Sequence, residues 1–456
     1  ASFIPVFNEY MKKHGKNEAF KLSNNFVTLI GILSCVITVL GIAFAPFLTE
    51  IFARGFNEET AQLCTRLLRL LFPTTVFTGI AFSFVGILQS MDEFNIPAAM
   101  SIASNLVIIV YFMFFNDRFG VYGLTVAFLI GWAMQALIQI PSLHKKGYRY
   151  KFYLNIKDSG IKKILMLMLP VMVSTWVQPI NLAINTNFAS TLYEGSGVSA
   201  VNYANTIYSI IVGVFVLSIA NVIFPRLSRM SIDNDKESFG NTISVTLEAM
   251  AFLIIPMTLG LMVLSSPVIS IIYERGKFDS FAVEITSKAL FYFSLGMPGF
   301  GIQNILSRAF YAKQNGKMPL ISGIVSIGIN IVLCVFLVGK MDVGGLALAS
   351  ALSQTVAALM LIIPMQRENK IINKKLITEI IKMTAAAIIM ALAAVFIRNY
   401  VYSLLGKGYI INIIVAALSA AGGIIVYGIC SLIFKINSMK LIISMALKII
   451  KRGGNS

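Results

Sequence analysis

Charge is scarce in this chain: Asp, Glu, Lys and Arg make up 12% of its 456 residues, and acidic residues number 20 against 37 basic ones. A sequence that is 57% hydrophobic, with a mean hydropathy of +0.81, lacks the polar surface needed to cover a water-soluble core. Cysteine (4) and histidine (2) are rarer still. Cys35, Cys64, Cys334 and Cys430 stand alone within apolar stretches, which speaks against a disulfide or metal frame and reads as small buried hydrophobes. No glycine-rich phosphate loop follows a strand, and no nucleophile, base and carboxylate can be grouped. Neither ATP hydrolysis nor other enzyme chemistry is therefore expected, and no cofactor is called for. The opening, ASFIPVFNEYMKKHGK, also lacks an initiator methionine and a basic leader.

What remains is apolar sequence in runs near or above the roughly 20 residues that cross a bilayer as helix. The runs do not alternate as the strands of a membrane barrel do. The fold class is thus an all-α polytopic membrane protein. Twelve spans are expected, at 20–51, 61–91, 97–115, 121–142, 161–192, 198–225, 241–273, 281–310, 319–339, 344–365, 376–402 and 409–434. If the basic turn at Lys12, Lys13 and Lys16 is cytoplasmic, alternation places 27 of the 37 Lys and Arg on the inner side, as the positive-inside rule requires. The net charge of +17 then follows from topology, and no nucleic-acid partner is needed to explain it.

The chain also repeats itself. FAPFLTEIFARGF carries Pro46, Arg54, Gly55 and Phe56; SSPVISIIYERGKF carries Pro267, Arg275, Gly276 and Phe278, with proline and the Arg-Gly pair at one spacing. The register continues from Pro97 to Pro319, from Gly123-Leu124 to Gly345-Leu346, and upstream from Ile4-Pro5 to Phe224-Pro225. Two homologous six-helix lobes are expected: residues 1–157, and residues 158–366. A terminal helix pair (367–435) and a basic amphipathic tail (436–456) along the inner leaflet follow. By this register about 60 residues, one helix and most of a second, are expected to precede Ala1.

Several stretches carry a resemblance. FIPVFNEY, LLRLLFP at 67–73, INTNFAS at 184–190, ERGKF at 274–278 and RAFYAKQNGKMP at 308–319 resemble the MurJ family of lipid II flippases, within the multidrug/oligosaccharidyl-lipid/polysaccharide exporter superfamily. The resemblance implies two lobes that alternate access across the bacterial cytoplasmic membrane, a cationic cavity for a pyrophosphate head group and a terminal groove for the polyprenyl tail. The partners it implies are a polyprenyl-pyrophosphate glycolipid and membrane lipids, with the protein a monomer. The family commonly reads YADR or YANR in its eighth helix. Here Tyr203, Ala204 and Asn205 match, while Thr206 stands at the arginine position. Some members also bind sodium in the second lobe; Asn330 fits one ligand position, but Cys334, one turn on, is a poor sodium ligand.

Polar residues within the spans supply the site candidates. Arg69 shares a helix face with Arg66; an intramembrane cation suits substrate work, and snorkelling to the outer interface is the alternative. Ser174, Thr175, Gln178, Asn181, Asn185 and Asn187 make the span from 161 the most hydrophilic, and Gln178, Asn181 and Asn185 share one face. Interhelical hydrogen bonding and cavity lining both fit them. The substrate-binding candidates are Arg69, Asn181, Asn185, Tyr203, Asn205 and Thr206, with Asn330 a candidate for sodium. At the outer turns, Gly55 and Gly276 read as helix caps and Arg54 and Arg275 as dipole partners. The functional expectation is a flippase for undecaprenyl-pyrophosphate-linked peptidoglycan precursor, driven by membrane potential or an ion gradient. A related polyprenyl-glycan or drug exporter and a transport-dead scaffold paralogue are the alternatives. A cation-coupled antiporter should show a carboxylate inside the first lobe's cavity, and none stands in the middle of that lobe's spans.

Overall fold

The computed structural model describes residues 3–232, 235–313, 315–406 and 408–439, with side chains other than those of 169–175, 177, 178, 221, 225 and 232. Most of the tail from 436 on, and the side chains of Ser174, Thr175 and Gln178, therefore lie outside the described residues. Every regular element among those described is helical, and ten helical stretches are long and apolar enough to cross a membrane. The chain divides into two compact units, Ala1–Val173 and Ser174–Ser456.

The first unit comprises α1 (Phe3–Ala43), α2 (Ala45–Phe52), α3 (Glu58–Leu71), α4 (Thr74–Ser90), α5 (Asn95–Phe114), α6 (Asn116–Leu137), α7 (Ile140–Lys145) and most of α8 (Ser159–Thr175). Within α1, Gly15 takes φ +80° and turns the chain between two helical pieces, a conformation only glycine adopts at no steric cost. This is the basic turn Lys12 to Lys16. Phe3, Val6, Phe7, Leu22 and Phe26 of α1 close over Phe84, Ile87 and Leu88 of α4, with Leu143, Tyr148 and Ile161 completing the cluster. The non-helical segment 148–158 runs beside α1 as a strap. Asn25 donates to Asn155 O and accepts from Asn155 N, both at 2.8 Å, and Thr28 meets the Tyr150 hydroxyl at 2.9 Å. Burial in this strap raises the Tyr148 phenol well above its ordinary range.

The second unit continues with α9 (Val177–Ser190), α10 (Ser196–Val212), a five-residue π-helical turn at Gly213–Leu217, and α11 (Ser218–Ile232). Next come α12 (Lys236–Tyr273), α13 (Ser280–Ser294), α14 (Met297–Ala312), α15 (Lys317–Met341) and α16 (Val343–Asn369). The pair α17 (Lys374–Leu405) and α18 (Tyr409–Ile433) packs on α12 through Phe252, Met383, Met390 and Tyr427. Ile436 is buried in the same cluster, the Asn437 N–H donates to Glu379 at 2.9 Å, and Glu248 accepts from the Ser438 hydroxyl at 3.4 Å.

Proline corrects several expected spans. A proline lacks the N–H that would reach the carbonyl four residues back, and its ring crowds that carbonyl. The expected helix 20–51 breaks at Phe44 before Pro46, and the helix 61–91 at Phe72 and Pro73. Likewise 121–142 breaks before Pro141, 161–192 at Trp176 before Pro179, and 281–310 at Leu295-Gly296 before Pro298. Pro256 and Pro267 remain inside α12, and Pro364 inside α16.

One close approach fixes the start of α12 against the end of α16. A Cβ added at Gly240 on α12 would stand 1.9 Å from the Asn369 carbonyl oxygen at the end of α16. Because the obstacle is backbone, Gly240→Ala is expected to force the two helices apart and cost about 1–2 kcal/mol. Thermal unfolding in detergent measures this, and an unchanged midpoint would contradict the packing.

Candidate functional site

Of the amides expected to share a face, Asn181 and Asn185 do so and turn into the helix packing; the Gln178 side chain lies outside the described residues. Asn185 is 6% exposed and Asn330 0%. The Asn185 Nδ2 donates to Ser350 Oγ at 2.8 Å, and the Asn330 Nδ2 donates to Asn185 Oδ1 at 3.0 Å and to Asn181 Oδ1 at 3.3 Å. Ser350 Oγ lies 3.4 Å from Asn330 Oδ1, and the Cys334 thiol sits 3.9 Å and 3.8 Å from Asn185 Oδ1 and Asn330 Oδ1. The residues knit α9, α15 and α16 together. Each amide and hydroxyl has a partner within the group, which is what a polar cluster inside a membrane-spanning unit requires.

In this arrangement the amide oxygens are turned to one another and not to a bound ion. The three amide oxygens, at Asn181, Asn185 and Asn330, already accept hydrogen bonds from within the knot. The set holds no carboxylate, and Cys334 contributes a soft sulfur where a hard cation wants oxygen. Among the described residues no group of His, Cys, Asp and Glu is placed to hold a metal.

The candidates on α10 behave differently. Asn202, Tyr203, Thr206 and Ser209 are exposed, while Val201, Ala204, Ile207 and Tyr208 are buried. Positions 202, 206 and 209 recur at helical spacing and set a polar stripe on the exposed face of α10, which they share with Tyr203 and Ile210. The Thr206 hydroxyl is satisfied within its own helix, but an exposed amide such as that of Asn202 is costly in hydrocarbon and is better surrounded by water, a polar ligand or protein. The Thr206 hydroxyl donates to Asn202 O at 2.8 Å, and Tyr208, on the opposite face, donates to Gln354 at 2.8 Å. Asn205 is half-buried beside the stripe. Sequence reading named Tyr203, Asn205 and Thr206; it missed Asn202 and Ser209, which the same helical spacing could have supplied.

Arg69 is exposed in the last turn of α3, where Pro73 leaves its backbone carbonyl without a helical partner and its guanidinium complements the helix dipole. It belongs to the first unit, whereas the other candidates belong to the second. Lys288 pairs with Asp342 at 3.6 Å. Arg275 donates from its guanidinium to Ile272 O, and Gly276 takes φ +60°, so this turn is built as a helix end.

A polytopic helical chain with broken spans and a polar stripe on a spanning helix has the build of a multi-helix membrane transporter. An inward-facing multidrug resistance MATE family transporter of the MOP superfamily shares the fold, with a TM-score of 0.72 over 81% of this chain and 85% of that one at 16% identity. The description "Lipid II flippase MurJ" matches residues 1–416, and the chain belongs to that family. A probable lipid II flippase MurJ of Vibrio cholerae is 30% identical over 363 residues, 77% of this chain and 69% of that protein. One from Buchnera aphidicola of Schizaphis graminum is 28% identical over 410 residues, covering 88% and 79%. A solved lipid II flippase MurJ in an inward closed conformation matches with a TM-score of 0.75 and 27% identity, covering 95% of this chain and 89% of that one. The chain is accordingly a multi-pass protein of a bacterial cytoplasmic membrane.

Proposed function

We propose that this chain carries lipid II, the undecaprenyl-pyrophosphate-linked peptidoglycan precursor, from the inner to the outer leaflet of the cytoplasmic membrane, exposing its binding surface to the two sides in turn. The observation that carries the reading is the family match over residues 1–416. The α10 stripe supports it, because a sugar and pyrophosphate head group needs hydrogen-bonding partners where lipid offers none. Membrane potential or an ion gradient supplies the drive in this reading, and the protein acts as a monomer.

Reconstitution tests it. Vesicles carrying the intact protein and lipid II are expected to expose the lipid to an outside head-group-modifying enzyme faster than protein-free vesicles do. Equal rates would refute the reading. Thr206, at the position where the family commonly has arginine, favours a second reading, a scaffold that keeps the fold without transport. Lipid II binding without translocation would identify it.

A further inference from the structure

The loop after α12 builds something a helix end does not need. Gly276, with φ +60°, folds it back, and the Phe278 N–H donates to Arg275 O at 3.1 Å. Phe278 is thereby laid against α12 and α10. Its ring centroid lies 5.7 Å from that of Tyr273 and 5.6 Å from that of Tyr203, and the two tyrosines are 4.6 Å apart. The interplanar angles of 33°, 70° and 40° make a faceted surface and not one flat stack. Tyr203 remains 40% exposed. Asn202 and Thr206 are exposed beside it on α10, and Lys277 is exposed on the loop.

Aromatic residues at a membrane boundary ordinarily form a lipid-facing belt. Tyr203 departs from that pattern because its exposed helical neighbours are Asn202 and Thr206, side chains that hydrocarbon disfavours. An aromatic face with an amide and a hydroxyl beside it on the helix suits a ligand with one apolar face and a hydroxylated edge. A pyranose ring is such a ligand: its axial C–H bonds meet the negative face of an aromatic ring, and its hydroxyls reach the polar groups beside it.

We propose that Tyr203, Tyr273 and Phe278 form an aromatic ledge, at the end of the second unit that the distribution of basic residues places outside, which takes the face of a sugar ring of the lipid-linked glycan. The proposal rests on the flippase reading and adds to it a subsite for the sugar as distinct from the pyrophosphate. In this arrangement Tyr203 presents the open ring face, while Phe278 and Tyr273 hold that ring in place.

The test compares two probes on the intact protein: lipid II, and undecaprenyl pyrophosphate, which has no sugar. Tyr203→Ala is expected to weaken lipid II binding about tenfold and to change binding of the sugar-free lipid by less than about twofold. Phe278→Ala acts in the same direction through the position of Tyr203. Tyr203→Phe, which keeps the ring, is expected to retain wild-type affinity, so a loss equal to that of the alanine variant would overturn stacking. Equal losses on both lipids, or no loss on either, would also overturn the ledge. Wild-type protein that binds both lipids with one affinity refutes the ledge alone, whereas wild-type protein that binds neither refutes the flippase reading and the ledge with it. Unfolding midpoints of the variants within a few degrees of wild type confirm that the losses come from the surface and not from the fold.

Discussion

Asn330→Leu is expected to lower the stability of the protein by about 2–3 kcal/mol, equally in sodium chloride and in choline chloride. Leucine keeps roughly the volume of asparagine but removes the bonds to Asn185 at 3.0 Å, Asn181 at 3.3 Å and Ser350 at 3.4 Å. Single interhelical bonds in membrane proteins average only about 0.6 kcal/mol, because the unfolded chain also finds partners in the bilayer. The larger figure comes from what is left behind, since polar atoms of Asn185 and Asn181 lose a donor inside the helix packing, where Asn185 is 6% exposed. The salt comparison distinguishes this knot from a cation site. An ion bound only by the folded state stabilises by about 2.7 kcal/mol at a hundred times its dissociation constant, so it would raise the unfolding midpoint of the wild type as sodium is added. The closed amide set predicts the same wild-type midpoint in sodium, potassium and choline at matched ionic strength. A saturating, sodium-specific rise would show that the amides open to take the ion.

That knot also shows where sequence reading reaches its limit. Hydropathy located the spans, because the cost of burying unpaired backbone in lipid leaves helix as the form these runs can take. The helical period placed Asn181 and Asn185 on one face. It gave no sign of Ser350, which lies 165 positions further along the chain, or that the face would close on Asn330 and not on an open surface. Pairing across such distances is decided by tertiary packing, which local periodicity does not encode. The helix breaks were legible in principle, since each follows from a proline and the carbonyl four residues before it. Yet Pro256 and Pro267 stay within α12, so the residue alone does not decide between a break and a continuous helix. The ledge was hidden for a third reason. Tyr203, Tyr273 and Phe278 are ordinary aromatics of a membrane protein until a glycine with positive φ brings the loop back onto α10.

Thr206→Arg is expected to tighten binding of a pyrophosphate lipid by about 1.5–3 kcal/mol, or roughly 10- to 150-fold in dissociation constant. Position 206 is exposed on the polar stripe of α10, and the threonine hydroxyl is bonded only to Asn202 O on its own helix, at 2.8 Å. Arginine therefore displaces no interhelical contact made by that hydroxyl, and it is a better helix former than threonine. Its guanidinium would emerge one turn from Asn202 and Tyr203. There its fork can bond two phosphate oxygens at once, which a hydroxyl cannot do. The gain should shrink as salt rises, because an exposed charge is screened over about 10 Å at 0.1 M ionic strength. Asn205→Ala gives the contrast: removing one neutral amide should weaken binding by only about 0.5–1.5 kcal/mol, without a salt dependence. Both variants are to be measured in the intact protein, by lipid binding over a salt series and by leaflet translocation. An unchanged affinity for Thr206→Arg, together with an Asn205→Ala variant that loses only thermal stability, would mean that α10 packs the second unit and does not touch substrate.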